Sequence, residues 1–168
     1  MSEPVSPARF DHEVLRSAFA FFPSGVTAVC AIRNNEFVGM AASSFTSVSL
    51  QPPLVSVCIA RTSTTWPILR AGDRLGVSVL ADDQHQLARQ FASRGVDRFA
   101  GVRVTTTKSR AVFVDHSCLW LECTLYSELP AGDHEIALLE VQDIRTFPER
   151  LPLVFHSSEF RQLLFPST

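Results

Sequence analysis

The pattern of hydrophobic and polar positions along the chain predicts few helices, all of them short. Apolar side chains fall near helical spacing in residues 10–22, where Asp11 is placed to cap the helix N-terminus. The segment TTWPILRAG, residues 64–72, predicts a short helix with proline in its first turn. A third helix is predicted in ADDQHQLARQFASRG, residues 81–95, with one of its two aspartates as the cap.

Strand-like apolar runs fill most of the remaining chain. They lie at residues 26–32, 37–47, 54–60, 75–80, 102–107, 111–114, 119–127 and 136–147. The first two runs predict a hairpin that turns through RNNE, and PAGDHE is predicted as the turn between the last two. Because strands follow one another too directly for a parallel βαβ layout, the pattern favours an antiparallel barrel.

The segment GMAASSFTSVSLQPPLVSVC, residues 39–58, departs from the alternation expected of a structural strand. Five hydroxyl side chains fall within seven residues: Ser43, Ser44, Thr46, Ser47 and Ser49. Neither face of the predicted strand is an apolar stripe. Since hydroxyl groups this dense need hydrogen-bond partners, the segment points to a polar ligand as well as to packing.

Composition narrows the class of protein. With 168 residues and 46% hydrophobic content, we expect one domain over residues 10–168, after a disordered segment at residues 1–9. Charged residues make up only 19% while phenylalanine occurs 13 times, which indicates apolar surface covered in an oligomer. The formal net charge of -2, without a Lys/Arg run, argues against binding to nucleic acid or to an anionic membrane.

The cysteines and the N-terminus indicate a cellular compartment. Four cysteines lie in apolar runs without metal-ligand spacing, so we expect buried, reduced thiols: Cys30, Cys58, Cys118 and Cys123. The N-terminus lacks the basic front and apolar core of a signal peptide, and no apolar run is long enough to cross a membrane. These features predict a cytoplasmic protein.

Several kinds of catalysis lack their motifs. No serine lies in a G-x-S-x-G elbow, the five histidines are far apart, and no G-x-G-x-x-G follows a strand. Neutral donors around a strand-rich core suit a ligand that is planar, polar along one edge and phosphorylated. Residues 62–65 are rich in hydroxyl groups and lie just before a predicted helix, where backbone amides can bind a phosphate. Ordinary capping of that helix by Ser63 or Thr64 explains these hydroxyl groups equally well.

Six segments occur in an order typical of one family. They are FPSGVTAV, GMAASSFTSVSLQPPLVSVCIA, LGVSVLADDQHQLARQFA, DRFAGV, LECTL and AGDHEIALLEV. Together, over about residues 16–163, they resemble the flavin reductase family with the FMN-binding split-barrel fold. The resemblance implies a mainly β protein, an antiparallel Greek-key split β-barrel with a few short helices.

The resemblance also implies an activity. Such proteins are NAD(P)H:flavin oxidoreductases, homodimers that transfer hydride from NADH or NADPH to N5 of FMN or FAD. They supply the reduced flavin to a partner monooxygenase or halogenase. Two alternatives stay open: a non-catalytic flavin-binding module and a barrel that binds another small molecule. The sequence also leaves open whether the flavin is FMN or FAD and whether the hydride donor is NADH or NADPH.

The family's site maps onto defined positions of this chain. The cofactor-binding residues that the resemblance implies are Ala42, Ser43, Ser44, Ser47, Cys58, Ile59, Ala60, Thr64, Thr65, Phe91, Ala92, Ser93, Arg94 and His134. By resemblance, Ser43 and Ser44 lie near the polar edge of the isoalloxazine ring, and residues 58–60 offer backbone contacts. Residues 64–65 hold the phosphate, and residues 91–94 close over the ribityl and phosphate end.

His134 matches a histidine that the family places beside the nicotinamide, but no residue is strictly required for catalysis because the flavin is the electron sink. The chain departs from the family at Ala41, where threonine is common. It departs further at FHSSEF, residues 155–160, where relatives tend to read YFRGKY. There Ser157 and Glu159 stand where basic residues are frequent, which puts nicotinamide affinity or dimer contacts in question.

Overall fold

The computed structural model describes residues 10–164, so the predicted disordered segment 1–9 lies outside the described residues. The helices are α1 (His12–Phe19), α2 (Trp66–Arg70) and α3 (His85–Ala92). The strands are β1 (Ser24–Gly25), β2 (Thr27–Arg33), β3 (Glu36–Ala42), β4 (Thr46–Leu50), β5 (Pro53–Ala60), β6 (Leu75–Val79), β7 (Val104–Thr106), β8 (Val112–Val114), β9 (Leu119–Ala131), β10 (His134–Thr146), β11 (Val154–His156) and β12 (Glu159–Arg161).

Seven strands form one antiparallel sheet in the order β3-β2-β6-β9-β10-β5-β4. Strands β3 and β4 are its two edges, and only residues 43–45 join them, so the sheet curls until its edges approach each other. Among the described residues no ladder joins these two edges, which leaves the barrel split along this line. The predicted class, a mainly β antiparallel split barrel, is confirmed.

The barrel interior holds the main core. Val29 of β2 faces Val77 of β6, and both are fully buried with Val57 of β5 and Leu139 of β10. A second core lies between the sheet and α3, where Phe91 is fully buried. Strand β2 contributes to both cores, which explains why its sequence is an unbroken apolar run rather than an alternation.

Helix α1 is amphipathic, yet none of its residues is buried within the described chain. The Asp11 side chain accepts a hydrogen bond from the Glu13 amide, as its predicted capping role requires. The apolar positions around the helix are open: Phe19 is 71% exposed, Phe21 78% and Phe22 80%. No helix described in residues 10–164 is long and apolar enough to span a membrane.

Three local predictions are wrong. The predicted strand 37–47 is interrupted at residues 43–45. The segment PAGDHE is mostly strand, because β9 and β10 continue until only Gly132 and Asp133 form the turn, with Gly132 at a φ of +65° that suits glycine. Helix α3 begins after Gln84 rather than at Asp82 or Asp83, and the Gln84 side chain instead accepts the Ala81 amide at 2.8 Å.

The cysteines divide into buried and exposed thiols. Cys30 and Cys123 are buried and Cys118 is partly buried, but Cys58 is exposed, so the prediction of four buried thiols is wrong for this one. Cys58 shares the outer face of β5 with Ser56, while its neighbours Val57 and Ile59 face the core. Burial raises the pKa of the Cys123 thiol to about 12 and that of Cys118 to about 11.

Candidate functional site

Ser44 ties the interruption between the two sheet edges to strand β5. Its hydroxyl accepts a hydrogen bond from the Cys58 amide at 2.8 Å and donates one to the Cys58 carbonyl at 3.1 Å. The side chain thus replaces a backbone partner at a point where β4 has not yet begun. Ser44 and Cys58 lie together as the resemblance implies, but they largely satisfy each other, which leaves Ser44 one acceptor lone pair.

Strand pairing directs a further backbone amide toward the same edge. Because the Cys58 amide points away from β10, the amide of Ala60, two residues on, points the same way. Successive amides of a strand point to opposite sides, so the amides of Ile59 and Arg61 point toward β10. The Arg61 amide accordingly donates to the Asp133 carbonyl at 3.0 Å. The end of β5 therefore presents the Ala60 N–H at the open edge of the barrel.

His134 lies across from Ala60 in the β5–β10 pair. Its Nδ1 lies 2.8 Å from the Asp133 carboxylate, and its side chain is 45% exposed. The hydrogen bond from His134 lowers the pKa of the Asp133 carboxyl, which keeps that group charged and orients the imidazole. The imidazole and the Ala60 amide thus flank one strand end, beside residues 43–45.

A cavity of about 420 Å³, here called the Gly39 cavity, lies beside β3. It is lined by residues of β3 and of the segments before α2 and after α3, among them Gly39, Thr64, Thr65, Asp97, Arg98 and Phe99. Ser63 accepts the Trp66 amide at 3.1 Å, which confirms the capping alternative for Ser63 and not for Thr64. Thr65 is the N-cap residue of α2 by its backbone, but neither threonine of the cavity uses its hydroxyl to cap the helix.

Arg98 holds the wall of the Gly39 cavity together. Its Nη1 donates to the Gly39 carbonyl at 2.8 Å and to the Thr65 hydroxyl at 2.9 Å, and its Nε donates to the Ser93 carbonyl at 2.9 Å. Among the described residues nothing accepts from its Nη2. A cationic donor therefore stands beside the two threonines assigned to phosphate, and the Asp97 carboxylate nearby accepts the Phe99 amide.

Sequence reasoning did not single out Arg98, although the segment DRFAGV was among those that carried the resemblance. A single arginine in a loop gives no periodic signal, and its role depends on the Gly39 carbonyl and the Thr65 hydroxyl, both far away in the sequence. The signal that was present is the position of a lone arginine between Asp97 and Phe99, directly after the predicted closing loop.

Gly39 is required by close packing. A Cβ added there would lie 2.8 Å from Phe91 Cε1, 2.9 Å from Phe99 Cζ and 2.9 Å from the Cys30 sulfur. The ring of Phe91 is thus part of the core and is not available to a ligand, so only the backbone of Phe91 could contact one. Its neighbour Ser93 caps the end of α3, since its hydroxyl donates to the Arg89 carbonyl at 2.8 Å.

A smaller cavity of about 160 Å³, here called the Ser43 cavity, lies at the end of β3. Ala42, Ser43 and Ala92 line it together with Phe155 and Phe160 of the C-terminal hairpin. Both cavities are lined by β3, the Gly39 cavity by residues 37–39 and this one by Ala41, Ala42 and the Ser43 that follows the strand. The structure thus brings together most of the predicted residues.

Nine of the fourteen predicted residues line neither cavity. Four of these, Ser44, Cys58, Ala60 and His134, lie at the barrel gap, while Phe91 belongs to the core and Ser93 to the end of α3. The other three lie elsewhere. Ser47 is exposed on β4 opposite Val55, Ile59 is buried in the barrel core, and Arg94 is exposed on the loop after α3.

The donor set of the region fits a flavin: neutral amide and hydroxyl groups at one end, and a guanidinium with two threonines at the other. Fold and site together define an open antiparallel barrel with a candidate ligand site at the gap between its edge strands.

Comparisons with known proteins agree with this description. A model of the flavin reductase like domain matches residues 19–164. An actinorhodin polyketide dimerase of Streptomyces coelicolor is 40% identical over 154 residues, 91% of this chain and 87% of that protein. The reductase subunit of a flavin-dependent monooxygenase of Rhodococcus jostii is 32% identical over 159 residues, 95% of this chain and 79% of that protein.

A solved structure extends the likeness to three dimensions. The NADH:FAD oxidoreductase of Streptomyces globisporus, in complex with NAD and FAD fragments, is 37% identical with a TM-score of 0.87, covering 97% of this chain and 98% of that one. The chain belongs to the flavin reductase family, as the sequence predicted.

Proposed function

We propose that the chain is an NAD(P)H-dependent flavin reductase that supplies reduced FMN or FAD to a separate monooxygenase or halogenase. The observation that carries this proposal is the placement of the Gly39 cavity and the Ser43 cavity along β3, next to the barrel gap that follows this strand, in a member of the flavin reductase family. Its donors are neutral at the gap and cationic at the far end, which matches the polarity of a flavin nucleotide.

The chain's own residues hold and orient the two substrates. Thr64 and Thr65 bind the flavin phosphate, with the Nη2 of Arg98 as a further donor. The Ala60 amide and the backbone at residues 43–44 bind the polar edge of the ring at the barrel gap. The flavin phosphate end lies in the Gly39 cavity, so the ring end reaches the Ser43 cavity.

Bound flavin would supply the electron sink, taking a hydride from C4 of the nicotinamide at its N5. The protein's contribution is to fix distance and orientation between the two rings and to exclude water. His134, oriented by Asp133, contacts the nicotinamide and positions it. No acid or base of the chain is needed for the step.

We further propose that the chain is a homodimer of single domains. The support is the apolar surface around α1, where Phe21 and Phe22 are largely exposed, together with Leu50 of β4, which is 95% exposed. A second copy of the chain that covers this surface accounts for the high phenylalanine content. Light scattering on the purified protein tests it, because a mass of one chain at micromolar concentration would contradict the dimer.

The receiving oxygenase and the cytoplasmic location stay predictions. Support for a partner comes from the Rhodococcus jostii relative, which is the reductase subunit of a flavin-dependent monooxygenase. Mixing the purified protein with FMN and NADH under anaerobic conditions, and then separating protein from free flavin, shows whether the reduced flavin leaves the protein, as delivery to a partner requires. Flavin that stays bound after reduction would contradict release.

The test of the activity is the rate of NADH oxidation under air with no flavin, with FMN and with FAD, repeated with NADPH. Turnover that depends on flavin and exceeds the protein-free control is the expected result. Binding of flavin by equilibrium titration without any turnover would instead favour the non-catalytic binding module. Absence of flavin binding would overturn both.

A further inference from the structure

Helix α2 depends on contacts with distant strands for its position. It has only five residues, and a helix of this length does not form in water without tertiary contacts. It begins directly after Thr64 and Thr65, the two threonines that line the Gly39 cavity. The contacts that fix the start of α2 therefore also fix these threonines.

The C-terminal end of α2 is held by Arg33 of β2. Its Nε donates to the Ile68 carbonyl at 2.9 Å, and its Nη2 donates to the Leu69 carbonyl at 2.9 Å. Leu69 is in addition fully buried in the barrel core. These contacts anchor the end of the helix that is remote from the two threonines, so the other end needs its own anchor.

The N-terminal end is held by the carboxylate of Glu128 in β9. Trp66 Nε1 donates to Glu128 Oε1 at 2.7 Å, and Arg70 Nη1 donates to Glu128 Oε2 at 2.9 Å. Trp66 and Arg70 lie four residues apart and thus on one face of α2. Because the indole is buried, a lost carboxylate would leave its N–H without an acceptor, which is costly unless the helix moves.

Glu128 also belongs to the hairpin that carries His134. In the β9–β10 ladder Glu128 pairs with Ala137, three register positions from the Ala131–His134 pair. Its carboxylate therefore joins the segment proposed for the flavin phosphate to the hairpin proposed for the nicotinamide. Glu128 itself lines neither the Gly39 cavity nor the Ser43 cavity, so it acts on a ligand only through the residues that it holds.

We propose that Glu128 is a positioning residue, which holds α2 through the Trp66 indole so that Thr64 and Thr65 meet the flavin phosphate. This rests on the proposed function, since it concerns the phosphate end of that flavin. Thr65 is tied to β3 by Arg98 and, through Trp66, to β9 by Glu128. Loss of the second tie lets the start of α2 shift while the barrel core stays in place.

Titration with FMN and with riboflavin, which lacks the phosphate, tests the proposal without turnover. Glu128→Ala should lower the preference for FMN over riboflavin at least about fivefold. Glu128→Gln should keep most of the preference, because its amide oxygen can still accept the indole N–H. In NADH oxidation, Glu128→Ala should raise the KM for FMN and leave kcat nearly unchanged.

Glu122→Ala is the matched control, because Glu122 lies on the same strand and its Oε1 is 3.1 Å from Nε of Arg74, shortly after α2. Glu122 is the more buried of the two carboxylates, so its loss should lower the Tm at least as much. The ratio of FMN to riboflavin affinity should nevertheless stay that of the wild type. A purely structural role of Glu128 predicts the same unaltered ratio for Glu128→Ala.

Trp66→Phe keeps an aromatic ring in the core and removes only the indole donor. It should lower the FMN preference as Glu128→Ala does, and the double variant should lose no more than either single variant. An unaltered preference in both single variants, or additive losses in the double variant, overturns the inference. A wild type that binds FMN no better than riboflavin contradicts the phosphate placement as well, whereas these shifts in a protein without turnover contradict the reductase activity alone.

Discussion

Replacing Arg98 with methionine should both destabilise the protein and weaken its hold on the flavin phosphate. Methionine keeps much of the aliphatic length but removes three hydrogen bonds of 2.8 to 2.9 Å, to the Gly39 carbonyl, the Thr65 hydroxyl and the Ser93 carbonyl. These bonds join β3, the segment before α2 and the loop after α3. Without them the two sides of the Gly39 cavity are no longer held at a fixed distance.

The size of the effect follows from these bonds. Hydrogen bonds from a charged donor contribute about 1.5–3 kcal/mol each, but Arg98 is partly exposed and bonds in one cluster do not add. A total loss of about 2–3 kcal/mol is therefore expected. For a chain of this size that corresponds to a fall in Tm of about 4–12 °C.

Urea unfolding followed by tryptophan fluorescence measures the stability, with Trp66 and Trp120 as probes. Titration with FMN and with riboflavin measures the site, and Arg98→Met should lose affinity for FMN at least about tenfold more than for riboflavin. Arg94→Met is the matched control, since Arg94 is exposed in the same loop and should change stability by less than about 0.5 kcal/mol. An Arg98→Met protein as stable as the control, with unchanged FMN affinity, would refute the role of these bonds.

Three further predictions concern packing, a turn and the thiols. Gly39→Ala should cost about 1–3 kcal/mol in urea unfolding because its Cβ meets three side chains below 3.0 Å, whereas Gly25→Ala, with nothing within 4 Å, should be nearly neutral; equal effects would contradict this account of Gly39. Ser158→Gly should raise the free energy of unfolding by about 0.5–1 kcal/mol, since Ser158 has a φ of 62° in the β11–β12 turn, and a lower Tm would be the contrary result. Iodoacetamide at pH 8, followed by peptide mass mapping, should modify Cys58 well before Cys30, because burial raises the pKa of the Cys30 thiol. Saturating FMN should slow the modification of Cys58. Early labelling of Cys30 would contradict its burial.

The positions of the longer strands along the chain and the class of fold were predictable because apolar periodicity is local, whereas the short strands β1, β11 and β12 were not predicted. The exposed face of β5 was also predictable, because Ser56 and Cys58 alternate with Val57 and Ile59. It was missed because Cys58 was counted as a core residue, which makes the segment look like a continuous apolar run. The interruption at residues 43–45 was not predictable, since it depends on the Ser44 hydroxyl taking the place of a backbone partner at Cys58. Such a replacement leaves no trace in the hydrophobic pattern.

The candidate site was predictable only where the resemblance supplied it. Composition and spacing indicated a polar ligand with a phosphate, and the resemblance added which side chains approach it. Arg98 escaped both, because its role depends on β3 and on the segment before α2, which are far from it in the sequence. Phe91 is the opposite case, a residue that the resemblance assigned to the site and that the structure places in the core. Its sequence position matches the closing loop, but its ring is buried against Gly39.

The central claim is that this protein transfers hydride from reduced nicotinamide to a flavin held at the barrel gap. Anaerobic stopped-flow mixing of the FMN-saturated protein with NADH, against NADH deuterated at C4, tests it most directly. We predict loss of the oxidised-flavin absorbance far faster than in the protein-free mixture, with a slower rate for the deuterated donor. Loss of absorbance no faster than without protein would contradict the claim.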